Sequence, residues 1–134
     1  MMPVSALEKL QAWISSYPHW EDSPANVCVL PKGMEETSRR EDVLGNAVAG
    51  CRYYVTLFWE IPGLCDGAES ARRLLDFQSW VQQQCALGLA PKFGDVPAQE
   101  TIRTEKGGCT IGTQMVTYTV TLVADFMKVY EVKS

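Results

Sequence analysis

The sequence predicts an α+β fold: an antiparallel or mixed β-sheet with two helices packed on one face. Three observations predict it. Residues 6–17 and 67–87 repeat apolar side chains at helical spacing, whereas residues 51–61 and 113–126 alternate at the period of a strand. The elements run helix, strand, strand, helix, then two or three strands, with hairpin connections in the last third. The chain of 134 residues is 46% hydrophobic and 21% charged, which suits a single domain over 1–134 with a real core.

Each element has its own justification. Ser5-Ala6-Leu7-Glu8 reads as a capping box, the Ser5 hydroxyl and Glu8 carboxylate each meeting the other's amide. Leu7, Leu10, Ile14 and Tyr17 then form one stripe with Trp13 beside it, and Pro18 stops the helix. Residues 26–30, rich in valine and bounded by Pro24 and Pro31, read as a short strand. Residues 32–50 are dense in charge and lack a period, so a long mobile loop or arm is expected there.

Residues 51–61 form the next strand. Tyr53, Val55, Leu57 and Trp59 share one face, and Arg52, Thr56 and Glu60 the other. Tyr54 and Phe58 interrupt the polar face, which suggests that it is partly covered, for instance by another subunit. Asp66 is placed to cap the second helix, with Glu69 three residues on. Its expected stripe is Ala71, Leu74, Leu75, Gln78, Val81 and Cys85, with Phe77 and Trp80 flanking, and Gly88 marks its end. Residues 99–105 suggest a strand, Lys106-Gly107-Gly108 a hairpin turn, 109–111 the start of a return strand, and Gly112 a bulge or bend.

In residues 113–126, Val116, Tyr118, Val120, Leu122, Ala124 and Phe126 form the apolar face. Thr113, Thr117, Thr119 and Thr121 line the other, broken by Met115 and Val123. A threonine-lined face is either an ordinary solvated surface, since threonine favours strands, or a surface turned towards another subunit or a channel. The sequence carries no internal repeat.

Composition bounds the function. A net charge of −4 lacks the basic excess of a duplex binder, so nucleic acid is not an expected partner. No apolar run approaches the roughly 20 residues that span a bilayer, and Met1-Met2-Pro3-Val4 has no signal-peptide pattern, so the expected location is the cytosol. Cys28, Cys51, Cys65, Cys85 and Cys109 are widely spaced and without a Cys-x-x-Cys pair. They read as buried reduced thiols, not zinc ligands.

The one histidine, His19, follows a helix with no nucleophile motif around it. The pairs Glu35-Glu36 and Glu41-Asp42 sit in a charged stretch where solvation leaves carboxylates ordinary, and no phosphate-cradling glycine motif is present. Arg39-Arg40 is flanked by acids and makes no basic patch. Trp13, Trp59 and Trp80 fit core stripes, while Trp20 is either a loop-packing residue or a contact anchor. No catalytic, cofactor-binding or metal-binding set is assigned, and no enzyme activity is expected. The candidate contacts with a subunit or partner are Arg39, Arg40, Glu41 and Asp42 in the charged stretch, Tyr54 and Phe58, and Thr117, Thr119 and Thr121.

Four stretches carry a family resemblance. They are residues 7–17 leading into Val27-Cys28-Val29-Leu30, and Arg39-Arg40-Glu41-Asp42-Val43-Leu44-Gly45-Asn46 followed by residues 53–59. The third is Leu74-Leu75-Asp76-Phe77-Gln78-Ser79-Trp80-Val81, and the last is residues 112–122, closing on Phe126 and Tyr130. In this layout the chain resembles the tail terminator and minor tail proteins of long-tailed bacteriophages and prophages, particularly the prophage versions from Gram-positive bacteria. The resemblance implies a structural virion protein without cofactor or reaction. It would form a homo-oligomeric ring, typically a hexamer, that caps the tail tube and joins it to the head connector. Its location would be the host cytoplasm during assembly and then the virion tail. Alternative readings are a head-completion or neck protein, and a small ligand-binding domain or enzyme.

Overall fold

The computed structural model of the chain describes residues 4–20, 27–62 and 67–132. The elements are α1 (Val4–Ser15), β1 (Val27–Glu41), β2 (Ala47–Pro62), α2 (Gly67–Ala86), a short 3-10 turn (Pro97–Gln99), β3 (Thr101–Ile111) and β4 (Met115–Tyr130). The four strands form one sheet in the order β1-β2-β4-β3, antiparallel at every junction. The fold is therefore α+β with both helices packed against the sheet.

The central ladder pairs β2 with β4 from Ala47↔Tyr130 to Pro62↔Met115. Because strand side chains alternate, Tyr53, Val55, Leu57 and Trp59 of β2 point the same way as Val116, Tyr118, Val120 and Leu122 of β4. All eight are buried, in one cluster with Leu10 and Ile14 of α1 and Phe77 and Val81 of α2. Phe77, wholly buried, lies at the centre of the aromatic part of this core. Its ring centre is 5.2 Å from Tyr17, 5.3 Å from Trp59, 5.8 Å from Trp20 and 5.9 Å from Trp80. Trp13 stacks on Trp80 at 5.0 Å and its Nε1–H donates to Gln84 Oε1 at 3.1 Å, which joins the two helices side by side.

The structure departs from the sequence reading in five places. First, α1 starts at Val4, one residue ahead of the Ser5 proposed as its cap. The Asp66 cap of α2 lies outside the described residues.

Second, residues 32–41 are strand rather than loop. β2 begins at Ala47 and offers β1 a ladder partner as far as Glu41↔Ala47, so the loop contracts to a turn over 42–46. Two register shifts, at Pro31/Gly33 and Glu36/Ser38, absorb the irregular sequence, and Gly33 takes a φ of 146°. No period marks this strand because β1 is an edge strand and most of its side chains meet solvent.

Third, Lys106-Gly107-Gly108 is not the hairpin turn. β3 runs through it with a register shift between Thr104 and Gly107, and the turn comes at 112–114, where the Gly112 amide donates to the Met115 carbonyl at 2.9 Å. Gly107 serves the approach of a helix: a Cβ there would lie 2.9 Å from Gln78 Nε2 and 3.2 Å from Leu74 Cδ2.

Fourth, the buried stripe of α2 is Ser70, Phe77 and Val81 with Leu74 and Trp80 half-buried, so Ala71 and Leu75 face solvent. Fifth, among the described cysteines only Cys51 is fully buried. Cys85 is half-buried, and Cys28 and Cys109 are exposed because they sit on the two edge strands. Cys65 falls outside the described residues.

Candidate functional site: the uncovered face of the sheet

Both helices pack on one face of the sheet, so among the described residues the opposite face has no helix over it. Its rows follow from the ladder. Leu30, Thr56 and Thr121 form one row, and Cys28, Phe58, Thr119 and Gly108 the next. Across β1, β2 and β4 these two rows carry no charge; at the β3 end of the first, the register shift between Thr104 and Gly107 sets Glu105 and Lys106 opposite Thr121. Glu60, Thr117 and Thr110 follow on one side, and Gly33, Tyr54, Val123 and Arg103 on the other. Val123 is fully buried yet stands apart from the main core cluster, flanked by its ladder partners Tyr54 and Arg103. The face thus has a small apolar centre of its own.

A polar ladder borders this centre. Asp125 on β4 is held by the two strands beside it: Arg52 Nε on β2 donates to Oδ1 at 2.6 Å and Arg103 on β3 donates to Oδ2 at 2.5 Å. Burial works against the Asp125 charge, but the two guanidiniums outweigh it and hold the carboxyl below the ordinary carboxylate range. The hydrogen bond to Asp125 likewise raises Arg52 above the usual arginine value. Glu105 continues the ladder with Arg103 at 3.2 Å, and the Tyr54 hydroxyl donates to Glu35 at 2.7 Å. The outer charges are thereby engaged with one another across four strands.

The β1–β2 turn is firmly built. Asp42 Oδ1 accepts from the amides of Leu44 at 2.8 Å and Asn46 at 3.0 Å, and its Oδ2 accepts from Asn46 Nδ2 at 3.0 Å. These bonds, the Asn46 side chain first, hold the Asp42 carboxyl below its usual value. Asn46 Oδ1 in turn accepts from the Val132 amide at 2.8 Å. At the tip of this turn, Val43 and Leu44 are 102% and 74% exposed.

Of the nine residues singled out from sequence, the structure brings Tyr54, Phe58, Thr117, Thr119 and Thr121 together on the uncovered face. Arg40 pairs with Val48 on the same face, nearer the turn. Arg39 and Glu41 point to the helix side; Arg39 is bound to Glu36 at 2.8 Å and lies 5.7 Å from the centre of the Tyr130 ring. Asp42 shapes the turn rather than facing outwards as a free charge.

Sequence reading missed Arg52, Asp125 and Arg103 as a unit, because nothing in spacing reveals which strands become neighbours. It also missed Glu100, a buried carboxylate that accepts from the amides of Phe93 at 2.5 Å and Gly94 at 3.1 Å and fixes the loop before β3. Trp20 proves a packing residue, its Nε1–H donating to the Ile14 carbonyl at 2.9 Å. His19 is exposed and edge-on to Tyr17.

Among the described residues no group of three or more His, Cys, Asp or Glu is placed to hold a metal ion. No helix among them is long and apolar enough to cross a membrane. No family model matches the chain, and no curated protein or solved structure matches it.

Proposed function

We propose that this protein is a structural assembly subunit that works through contacts with copies of itself and with partner proteins. The observation that carries the reading is the patch of Thr56, Phe58, Thr119 and Thr121, uncharged across β1, β2 and β4 and set on a sheet face that no helix of the described residues covers. Depleted charge around half-buried aromatic and β-branched side chains is the composition of an interface centre. The exposed Val43–Leu44 tip, fixed by Asp42 and Asn46, is a second and different patch. Two unlike patches on one subunit are what a head-to-tail ring requires. The resemblance to tail terminators gives the reading its specific form: a ring, typically of six, that closes the head-proximal end of a phage tail tube and meets the head connector.

The test is tail-tube growth, followed by electron microscopy with and without the purified protein. Tubes of uniform length in its presence and overlong tubes in its absence support the terminator. Unchanged tube length refutes it and favours a neck or head-completion role. Phe58→Glu and Thr119→Glu place charge at the centre of the face and are expected to abolish capping while leaving the far-ultraviolet dichroism unchanged.

A further inference from the structure

Among the described residues the sheet ends in two edge strands with no further strand beside them, and they differ. β1 carries Pro31, two register shifts and six charged side chains between Lys32 and Glu41, the devices by which proteins keep an edge from pairing. β3 is regular from Thr101 to Thr104. Along that stretch a groove of about 720 Å³ opens between β3 and α2.

The α2 wall of the groove includes Leu75, Ser79, Gln82 and Ala86, positions that succeed one another by three and four residues and therefore share a helix face. Leu75 is 60% exposed there. The floor has main-chain donors to offer. The Ile102 amide is turned away from β4, and its partner is the Cys85 thiol at 3.4 Å, a weak acceptor. Since amides alternate along a strand, the Thr104 amide points to the same free edge.

Electrostatics narrows the occupant. Among the described residues the lining holds one charged side chain, Arg103, whose guanidinium is engaged by Asp125 and Glu105. A charged side chain entering the groove would lose water and gain no counter-charge, so the complement of this site is a neutral segment.

We propose that the groove between α2 and the free edge of β3 is a strand-addition site for an extended, uncharged segment of a partner polypeptide. Its main-chain carbonyls take the Ile102 and Thr104 amides, and alternate side chains lie against Leu75 and Ala86. This site meets the uncovered face only at Arg103 and does not rest on the ring reading.

The experiment uses the full chain labelled with nitrogen-15. It is titrated with acetyl-Thr-Val-Thr-Val-Thr-amide and with analogues carrying Glu or Lys at the two valine positions. The uncharged peptide is expected to shift the Ile102 and Thr104 amide signals and slow their hydrogen exchange, and the charged analogues to bind at least about tenfold more weakly. Ser79→Arg and Ala86→Arg, both at exposed positions, are expected to weaken binding about tenfold with an unchanged melting temperature. Thr104→Pro removes one outward donor without touching the ladder to β4 and is expected to do the same. The proposal is overturned if neither amide responds at about 1 mM uncharged peptide. Shifts confined to β1 or to the uncovered face overturn it equally, as does unchanged binding by the arginine variants.

Discussion

Phe77→Ala tests the architecture most directly. The Phe77 side chain is wholly buried and is ringed by Tyr17, Trp20, Trp59 and Trp80 at centre distances of 5.2 to 5.9 Å. Those partners come from the residues just after α1, from β2, and from α2 itself, so one deletion loosens the end of α1 and α2 from each other and from the sheet. Truncating a buried phenylalanine costs about 3–5 kcal/mol, through lost transfer energy and the cavity left behind. Aromatic pairs add about 0.5–1.5 kcal/mol beyond the area they bury, and four surround this ring, which places the loss near the upper end, about 4–5 kcal/mol. Total stability for such a domain is about 5–15 kcal/mol, so the variant is expected to stay folded by a narrow margin. With a urea dependence of about 2 kcal/mol per molar, the midpoint should fall by about 2 M. Phe77→Leu keeps most of the volume and should cost about 1–1.5 kcal/mol. Urea titration followed by far-ultraviolet dichroism measures both. A loss below about 1.5 kcal/mol for Phe77→Ala, or equal losses for the two variants, would refute the packing described.

Three further perturbations follow from the geometry. Asp125→Asn is expected to lower stability at neutral pH, since the folded carboxyl is held below its ordinary value by Arg52 and Arg103. Such a group stabilises fully above its unfolded pKa of about 4 and loses that contribution as pH falls through the lower folded value, so the gap to the wild type should close below about pH 4 in pH-dependent urea melts. Gly94→Ala would put a Cβ 2.2 Å from the Met127 carbonyl oxygen, which accepts the Asp95 amide at 2.7 Å. A loss of about 1–3 kcal/mol is expected, read as a lowered melting temperature. Replacing Val43 and Leu44 together by serine should change stability by less than about 0.5 kcal/mol, because both side chains already face water, yet impair any assembly that sedimentation velocity detects.

The layers were legible in the sequence because burial writes a period into it. Val116, Tyr118, Val120 and Leu122 alternate cleanly, and so do Tyr53, Val55, Leu57 and Trp59, since each strand has one face in the core and lies at the centre of the sheet. β1 was illegible beyond Leu30 for the opposite reason: an edge strand exposed on both faces has no apolar alternation to show, and its two register shifts scramble what remains. The glycines misled where chemistry has two uses for them. Gly107 looks like turn chemistry and instead makes room for Leu74 and Gln78. In α2 the stripe was misplaced by a fraction of a turn, because Leu75 was counted as core and Ser70 was not. The convergence of Tyr54, Phe58 and the threonines needed only alternation, whereas the Arg52–Asp125–Arg103 ladder needed the strand order, which no local pattern contains.

The strand order has one more consequence. A helix followed by a hairpin occurs twice along the chain, α1 with β1 and β2 and then α2 with β3 and β4, and the two meet where β2 pairs antiparallel with β4. The halves are thus related by an approximate two-fold axis through the middle of the sheet, although no repetition survives in the residues themselves. Under that axis β1 and β3 occupy equivalent rims. One rim carries two register shifts and six charges over Lys32 to Glu41; the other has one shift, is regular over Thr101 to Thr104, and is flanked there by the groove against α2. Two halves built on one plan thus end in rims of different chemistry, so an additional strand could extend the sheet on one side more readily than on the other.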